Sequence, residues 1–158
     1  MIILASDHAG FLLKEELKKF FNKENIIVID VGCYSRENPD DYPDFAKLAN
    51  AKVSEDPRNV GIYICGTVIG MSIVANRNPK IRAALCNNET FASLARRHND
   101  ANVLCLSGKY TRPKKAIKIV KVFLTTDFEG GRHARRIKKY WGRYVKCGYS
   151  NSIWWQKI

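Results

Sequence analysis

The sequence predicts an α/β fold in which a doubly wound parallel sheet of five strands carries helices on both faces, as a three-layer sandwich. Three observations predict it. Short β-like runs alternate with helical patterns five times along the chain, which is typical of parallel strands joined by crossover helices. The strand-like runs are almost continuously apolar, as expected for strands that are buried on both faces. A chain of 158 residues is long enough for one domain with a hydrophobic core.

The first two strand–helix pairs lie in the N-terminal third of the chain. Ile2–Ser6 forms an apolar strand, and Gly10–Asn22 forms a helix whose leucine and phenylalanine residues fall on one side. Ile26–Val31 is the second strand. A polar loop rich in Asp, Asn and Pro follows over Gly32–Tyr42, and the proline after it suits the first turn of a helix over 43–54.

The other three strand–helix pairs repeat this pattern, and a proline again suits the start of the last helix. In order, they are Val60–Ile64 with a helix over about 68–78, Ile81–Cys86 with Asn88–Arg97, and Val103–Ser107 with a helix over 113–125. Five such units in series predict a Rossmann-like topology.

Cysteine use and the N-terminal segment bear on the compartment. The chain has five cysteines, an odd number, and no two have CxxC spacing; this indicates reduced thiols rather than a disulfide framework or a zinc site. No apolar run approaches the roughly 18 residues of a membrane span, and the N-terminal segment lacks the basic region of a signal peptide. We therefore expect a cytoplasmic protein without a membrane partner.

Positive charge is concentrated in the C-terminal third. The net charge is +12, and residues 112–158 contribute +11, with 13 Lys and Arg against two acidic residues. A basic surface of this kind binds nucleic acid, a membrane surface or an anionic small molecule. Composition alone fits a solvated basic helix and tail equally well.

Ligands of such sheets bind beyond the carboxyl ends of the strands, so the residues that follow the strands are candidates for chemistry. Asp7 and His8 directly follow the first strand and are placed to contact a ligand. The alternative is a helix cap, in which Ser6 or Asp7 binds free backbone amides. Capping does not require the histidine.

The segment Cys65–Gly70 follows the third strand and opens the next helix. Its backbone amides would face a bound oxyanion, and the helix dipole favours negative charge there. The same field lowers the pKa of a thiol, which makes Cys65 a candidate nucleophile or base. The segment lacks the ending of a Walker loop and the GxGxxG pattern of a dinucleotide site. The alternative is a buried structural cysteine before a tight turn.

His98, with Asn99 and Asp100, forms a polar cluster just before the fifth strand. This position lies at the opposite end of the sheet from Cys65 of the same chain. His98 is either an exposed histidine or a proton donor that works with Cys65 across a dimer interface.

A short basic segment, Gly130–Arg136, follows the last predicted helix. Arg132 and Arg136 are four residues apart, on one helix face, where two guanidinium groups can clamp a phosphate. The other basic side chains of this region, Arg135, Lys138 and Lys139, are interpreted as solvated.

Taken together, these segments resemble the ribose-5-phosphate isomerase B family, in that family's order and spacing. The matching motifs are Ser6-Asp7-His8-Ala9-Gly10, Asp41-Tyr42-Pro43, Gly61-Ile62 through Cys65-Gly66-Thr67, Ile69-Gly70-Met71-Ser72, Ile81-Arg82-Ala83-Ala84, His98-Asn99-Asp100-Ala101-Asn102-Val103-Leu104 and Gly130-Gly131-Arg132-His133. No single motif is specific, but the set is. We therefore expect one isomerase domain over residues 1–140, followed by a basic aromatic extension over 141–158.

The resemblance implies an aldose–ketose isomerase that interconverts D-ribose 5-phosphate and D-ribulose 5-phosphate through an enediolate, in the non-oxidative branch of the pentose phosphate pathway. It implies no cofactor and no metal. It also implies a homodimer with active sites shared at the subunit interface, and leaves open whether dimers associate into tetramers. A nucleic-acid partner is not expected.

Residue roles also follow from the resemblance. Cys65 would be the base that moves a proton between C2 and C1, with Thr67 beside it, and His98 of the partner subunit would assist ring opening. Asp7 and His8 would contact the sugar. The amides of Gly66, Thr67, Val68, Ile69 and Gly70 would hold the enediolate oxygen together with Asn99, and Lys109, Arg132 and Arg136 would bind the phosphate.

The sequence departs from the family at two site positions. Val68 replaces the second glycine of the usual Cys-Gly-Thr-Gly-Ile-Gly, and a β-branched residue is costly there if the position needs a positive φ. Either the loop shifts or the valine points away from the site. Lys109 stands where an arginine commonly helps with phosphate; lysine keeps the charge and loses the bidentate fork.

Other functions stay open at this point. Galactose-6-phosphate and allose-6-phosphate isomerases share much of the motif set, and Cys65 favours the ribose substrate without deciding it. A second alternative is an inactive homologue that acts as a basic binding protein, with Val68 as the lesion; it would bind RNA or DNA in a salt-sensitive way without turnover. Against it, the expected base, ring opener and arginine pair are all present.

Overall fold

The computed structural model describes residues 1–37 and 39–140. The strands are β1 (Ile2–Ser6), β2 (Val28–Asp30), β3 (Val60–Cys65), β4 (Ala83–Leu85) and β5 (Val103–Ser107). The helices are α1 (Phe11–Lys23), α2 (Tyr42–Glu55), α3 (Ile69–Ala75), α4 (Glu89–Asn99), α5 (Pro113–Thr125) and α6 (Gly131–Ile137). The strands form one parallel sheet in the order β2-β1-β3-β5-β4, which confirms the predicted fold class. The expected C-terminal extension, residues 141–158, lies outside the described residues.

Helices cover both faces of the sheet, and each face has its own apolar core. α1, α4 and α5 pack on one face around buried residues such as Leu17 and Phe123. α2 and α3 cover the other face, where Tyr63 and Met71 are buried. β1 and β3 are buried along their whole length, which is why their sequences are continuously apolar rather than alternating.

The two edge strands are shorter than predicted. β2 and β4 have three residues each, where the apolar runs predict six. The backbone N–H of Ile26 donates to the carbonyl of Phe21, and that of Ile81 donates to the carbonyl of Asn78. Both isoleucines therefore complete the turns that follow a helix, and their amides are not available to the sheet.

The described residues contain no helix that is long and apolar enough to cross a membrane. The cysteines among them, Cys33, Cys65, Cys86 and Cys105, are buried free thiols, as the sequence predicts. The fifth cysteine, Cys147, lies outside the described residues.

Candidate active site

Loops at the carboxyl edge of the sheet, the edge at which the parallel strands end, pack directly on one another. A Cβ at Gly10 would lie 2.4 Å from the carbonyl oxygen of Ile64, and a Cβ at Gly108 would lie 2.8 Å from the carbonyl oxygen of Ala9. The backbone N–H of Gly108 donates to the carbonyl of Cys65 at 2.9 Å. Glycine is required at both positions because the loops after β1, β3 and β5 approach to backbone contact.

Asp7 and His8 begin the loop after β1, and Asp7 has the capping role that the sequence allows. Asp7 is 5% exposed, and its carboxylate accepts the backbone N–H of Gly10 at 2.8 Å, which caps the turn before α1. The Nδ1 of His8 lies 2.7 Å from Asp40 Oδ1, and the backbone N–H of His8 donates to the same oxygen at 2.9 Å. This hydrogen bond raises the pKa of His8. With Nδ1 bound to Asp40, Nε2 is the nitrogen left for a ligand.

Cys65 ends β3, and its environment corrects the expected pKa. The sequence predicts a lowered thiol pKa from the N-terminus of the following helix, and this is wrong. Burial, reinforced by the charge and hydrogen bonding of the Asp7 carboxylate, raises the pKa of Cys65, and the backbone N–H groups of Val68 and Met71 oppose this only in part. Loss of water and a nearby carboxylate thus outweigh the field of a helix of seven residues. The resting group is a thiol beside a carboxylate that can accept its proton.

Val68 has the backbone conformation that glycine adopts easily, with φ 62° and ψ 0°. Its side chain is fully buried and packs in the core under α2 and α3. Of the two outcomes that the sequence allows, the structure therefore shows the valine pointing away from the site. A β-branched residue in this region costs on the order of 1–3 kcal/mol, and core burial offsets the strain. Val68 thus adopts the left-handed conformation without glycine.

The rest of the loop after β3 is accessible at the same edge. Its exposed or partly exposed members are Gly66, Thr67, Ile69 and Gly70. A Cβ at Gly70 would lie 2.4 Å from the hydroxyl oxygen of Tyr42, so α2 also reaches this loop through its first residue. Lys109 is exposed, and its backbone N–H donates to the carbonyl of Gly66 at 3.1 Å. We call this group the carboxyl-edge half-site: Asp7, His8, Asp40, residues 65–70 and Lys109.

His98 and Asn99 end α4 at the opposite, amino edge of the sheet, as predicted. The third residue of the motif, Asp100, is structural. Its buried carboxylate lies 3.1 Å from Arg82 Nη2 and 3.3 Å from Arg96 Nη1, and its φ of 45° caps α4 in the left-handed region. The end of α4 is thereby fixed, while the side chain of His98 is 34% exposed and Asn99 is exposed.

Helix α6 packs against α4 and brings a second histidine to His98. The rings of His98 and His133 are stacked, with centroids 4.2 Å apart and planes 3° from parallel. The Glu129 Oε2 atom lies 3.7 Å from Nε2 of His98 and 3.6 Å from Nε2 of His133. Arg132 and Arg136 are exposed on α6 beside this cluster. We call this group the amino-edge half-site: His98, Asn99, Glu129, Arg132, His133 and Arg136.

The two half-sites of one chain lie at opposite ends of the sheet. In the ladder between β3 and β5, Cys65 pairs with Ser107, whereas Gly61 pairs with Val103. Four residue steps along a strand are about 13 Å, and His98 lies before Val103 in the chain. One chain therefore does not bring His98 to Cys65, and a site that uses both needs two copies of the chain.

Among residues 1–37 and 39–140, two side-chain clusters have donor atoms within 4.8 Å of one another, close enough for a metal ion. They are Asp7 with His8 and Asp40, and His98 with Glu129 and His133. In the second cluster the stacked rings oppose metal binding. The lone pair of an imidazole nitrogen lies in the plane of its ring, so a metal ion bound to both histidines would have to lie in both ring planes. Because the two rings are stacked in parallel planes, no such position exists. In the first, His8 and Asp40 already bond to each other through the atoms concerned.

Sequence reasoning missed three members of the half-sites. Asp40 lies in the polar loop after β2. Its position beyond the carboxyl end of a strand could have indicated that it belongs to the site. Glu129 and His133 flank a glycine pair, and no spacing indicates that they meet His98. That contact depends on how α6 packs against α4.

The chain is similar in sequence to known isomerases. Residues 2–140 match the protein family described as Ribose/Galactose Isomerase. The probable ribose-5-phosphate isomerase B of Mycoplasma pneumoniae is 45% identical over 138 residues, which cover 87% of this chain and 91% of the relative. The ribose-5-phosphate isomerase B of Escherichia coli is 39% identical over 137 residues, with the same two coverages, 87% and 91%.

Solved structures give the same result. The ribose 5-phosphate isomerase of Thermotoga maritima has a TM-score of 0.87 and 47% identity, covering 90% of this chain and 97% of its own. The ribose-5-phosphate isomerase B of Mycoplasma genitalium, solved with bound ribulose-5-phosphate, has a TM-score of 0.83 and 45% identity, covering 87% of this chain and 91% of its own. Sequence, fold and site geometry agree, and the chain belongs to the ribose/galactose isomerase family.

Proposed function

We propose that this protein interconverts D-ribose 5-phosphate and D-ribulose 5-phosphate by proton transfer through an enediolate. The observation that carries the proposal is the carboxyl-edge half-site, where a buried thiol lies beside the Asp7 carboxylate in a loop whose residues Gly66, Thr67, Ile69 and Gly70 are accessible. A proton next to a carbonyl needs a positioned base and fixed donors for the oxyanion that forms. The similarity to a ribose-5-phosphate isomerase B that was solved with ribulose-5-phosphate supports this substrate.

In the proposed reaction, Asp7 accepts the proton of the Cys65 thiol when the substrate binds, and the thiolate removes the proton from C2 of the open-chain aldose. The C1 carbonyl oxygen becomes the enediolate oxyanion, which the amides of residues 66–70 stabilise with Asn99 of the partner subunit. Cys65 then returns the proton to C1, and the proton on O2 passes to O1. Thr67 lies beside the base, and Nε2 of His8 is placed to contact a sugar hydroxyl. No cofactor takes part.

The amino-edge half-site of the second copy supplies the other groups. His98 of the partner subunit protonates the ring oxygen to open the furanose, and Arg132 and Arg136 bind the phosphate, with Lys109 adding charge from the first chain. The phosphate then provides binding energy remote from the reacting carbons and holds them in place.

We further propose a homodimer, because the two half-sites of one chain are too far apart to act together. Large apolar side chains on α3, β4 and α4 support a covered surface next to the loop after β3. They are Ile69, Ile73, Leu85 and Phe91, exposed by 56%, 53%, 45% and 56%. The buried free thiols fit a reducing compartment, and we propose that the protein acts in the cytoplasm.

The test is turnover of ribose 5-phosphate by the purified protein, compared with Cys65→Ala and the matched control Cys86→Ala. Cys86 is also a buried thiol, 2% exposed, and belongs to neither half-site. We expect Cys65→Ala to lower kcat by about 10²–10⁴-fold, the usual contribution of a general base, and Cys86→Ala to keep its activity. Equal loss in both variants would contradict the role of Cys65.

Six-carbon substrates separate the alternatives. Galactose 6-phosphate and allose 6-phosphate are assayed beside ribose 5-phosphate under the same conditions. A higher kcat/KM for either hexose phosphate would replace the proposed substrate. Binding of nucleic acid without turnover of any sugar phosphate would instead favour the inactive basic binding protein.

A further inference from the structure

Two histidine rings stack on each other in the amino-edge half-site. His98 ends α4, and His133 lies in the middle of α6. Their rings lie parallel within 3°, with centroids 4.2 Å apart. His133 is 7% exposed, so one ring of the stack is held by surrounding protein while His98 faces outward. The pair therefore has a fixed ring and a ring that is accessible to a ligand.

Glu129 holds the edge of the stack. Its carboxylate forms an ion pair with Arg97, and its backbone N–H donates to the carbonyl of Arg97 at 3.1 Å. The other carboxylate oxygen lies 3.7 Å from Nε2 of His98 and 3.6 Å from Nε2 of His133. These are ion-pair distances, too long for hydrogen bonds, so Glu129 leaves Nε2 of His98 free of a direct hydrogen bond to its carboxylate.

His133 provides a flat neutral surface rather than a second positive charge. Burial, with the neighbouring positive charges of His98 and Arg132, lowers the pKa of His133. The Nε of Arg132 also points at Nε2 of His133 from 3.5 Å, which suits an unprotonated nitrogen at that position. A neutral ring adds no charge repulsion to the stack, so His133 can support the ring of His98 at close range.

A proton donor for ring opening must present its N–H to the ring oxygen at about 2.6–3.2 Å and in one direction. His98 lies at the end of a helix with two free side-chain torsions, and the structure gives its ring no direct hydrogen bond among the described residues. The stack is the contact that fixes its plane, and Glu129 limits rotation within that plane.

We propose that His133 and Glu129 are positioning residues that hold the ring of His98 in the orientation required for proton transfer to the sugar ring oxygen. This inference rests on the proposed function. It assigns no direct contact with the reacting carbons to either residue, and it predicts a defect in ring opening and closing that leaves enediolate formation intact.

The chemistry allows these steps to be measured separately. Ribulose 5-phosphate cannot close a five-membered ring, because the oxygen on C5 carries the phosphate. In D₂O the base therefore exchanges a C1 proton of ribulose 5-phosphate for deuterium without any ring step. Formation of ribose 5-phosphate from the same enediolate ends with ring closure, which by microscopic reversibility uses the same donor as opening.

The experiment incubates ribulose 5-phosphate with enzyme in D₂O and measures two initial rates by NMR and mass spectrometry. One is deuterium incorporation into the remaining ribulose 5-phosphate, and the other is formation of ribose 5-phosphate. For His133→Leu we expect the ratio of exchange to conversion to rise by about tenfold or more, a fraction of the 10²–10⁴ that a general acid contributes. A similar rise is expected for Glu129→Gln. Arg135→Leu is the matched control on the exposed side of α6. We expect this variant to have the same ratio of exchange to conversion as the unmodified protein.

A second variant keeps the test decisive if His133→Leu folds poorly. His133→Phe keeps a flat ring and should keep a ratio close to that of the unmodified protein. A ratio that does not rise in His133→Leu, or that rises equally in His133→Phe, would overturn the inference. Failure of the unmodified protein to form any ribose 5-phosphate would instead overturn the proposed function, so the two failures are distinguishable.

Discussion

The two half-sites are built from different parts of the chain. The carboxyl-edge half-site is shaped largely by backbone contacts, since the loops after three strands touch at Gly10 and Gly108. The amino-edge half-site consists of side chains carried on helix ends. Its order comes from ion pairs and ring stacking around Asp100 and His133.

This difference teaches where substitutions are tolerated. A backbone site accepts a new side chain as long as the chain keeps its conformation, which is how Val68 occupies a position with φ 62° while its side chain lies in the core. A site of side chains depends on each partner, because an ion pair or a ring stack is lost when one member is replaced by a side chain without the charge or the ring.

The prediction with the largest expected change in activity tests whether the two half-sites of one active site come from two subunits. Cys65→Ala and His98→Ala should each be nearly inactive alone. When the two variants are co-expressed, they should recover about a quarter of the unmodified activity. Random pairing makes half of the dimers mixed, and each mixed dimer has one complete site out of two.

The control for this mixing experiment combines Cys65→Ala with Cys65→Ser, which share the defective half-site and should show no recovery. No recovery in the test mixture, when both proteins are shown to form mixed dimers, would mean that one chain completes its own site. Recovery in the control would show that mixing restores activity without complementary half-sites, and would contradict the prediction as well.

The second prediction concerns the anchor of the amino-edge half-site. Asp100→Asn keeps the size and the tolerance for positive φ but removes the charge between Arg82 and Arg96, which are 8% and 1% exposed. Leaving buried arginines without this counter-charge should lower the free energy of unfolding by about 3–5 kcal/mol. Denaturant unfolding gives the value. Asp44→Asn, which breaks the exposed pair with Lys47, should have little effect.

The third prediction measures the strain in the carboxyl-edge half-site. Val68 and Val103 are both fully buried, but only Val68 has a positive φ. Val68→Gly relieves that strain and should cost about 1–3 kcal/mol less than Val103→Gly, although both lose a buried side chain. Thermal unfolding of the two variants compares them. Equal costs would show that the left-handed conformation is not strained at this position.

The smallest expected effect is a shift in a titration at the carboxyl-edge half-site. Asp40→Asn removes the partner that raises the pKa of His8, so that pKa should fall toward its ordinary value of 6.5. An NMR titration of the ring protons measures it. Asp41→Asn, the exposed neighbour, serves as the control and should leave the titration unchanged.

The pair of His8 and Asp40 also predicts that the stability of the protein depends on pH. Because the pKa of His8 is raised in the folded protein, its contribution is complete below the ordinary histidine pKa and is lost as the pH rises through the folded value. The pKa of Asp40 is lowered, so its contribution is present above the ordinary aspartate pKa and is lost as the pH falls. The stability difference between the unmodified protein and Asp40→Asn should therefore be largest at mildly acidic pH.

The order of strands and helices and the position of the candidate base followed from the sequence. Continuously apolar runs bounded by turn residues placed β1, β3 and β5 correctly, because strands buried on both faces need such runs. Cys65 was placed at the carboxyl edge because it follows one of them. The position of His98 at the opposite edge followed from chain order alone.

What the tertiary structure decided depends on contacts between distant segments. The edge strands lost residues to helix-end turns, and the thiol of Cys65 gained a raised pKa from burial and from Asp7, although the local helix dipole acts the other way. Asp40 reached His8, and His133 reached His98, only through packing. Periodicity and chain order are local properties that a sequence displays directly, whereas the His8–Asp40 bond and the His98–His133 stack join residues that the sequence separates by about 30 positions or more.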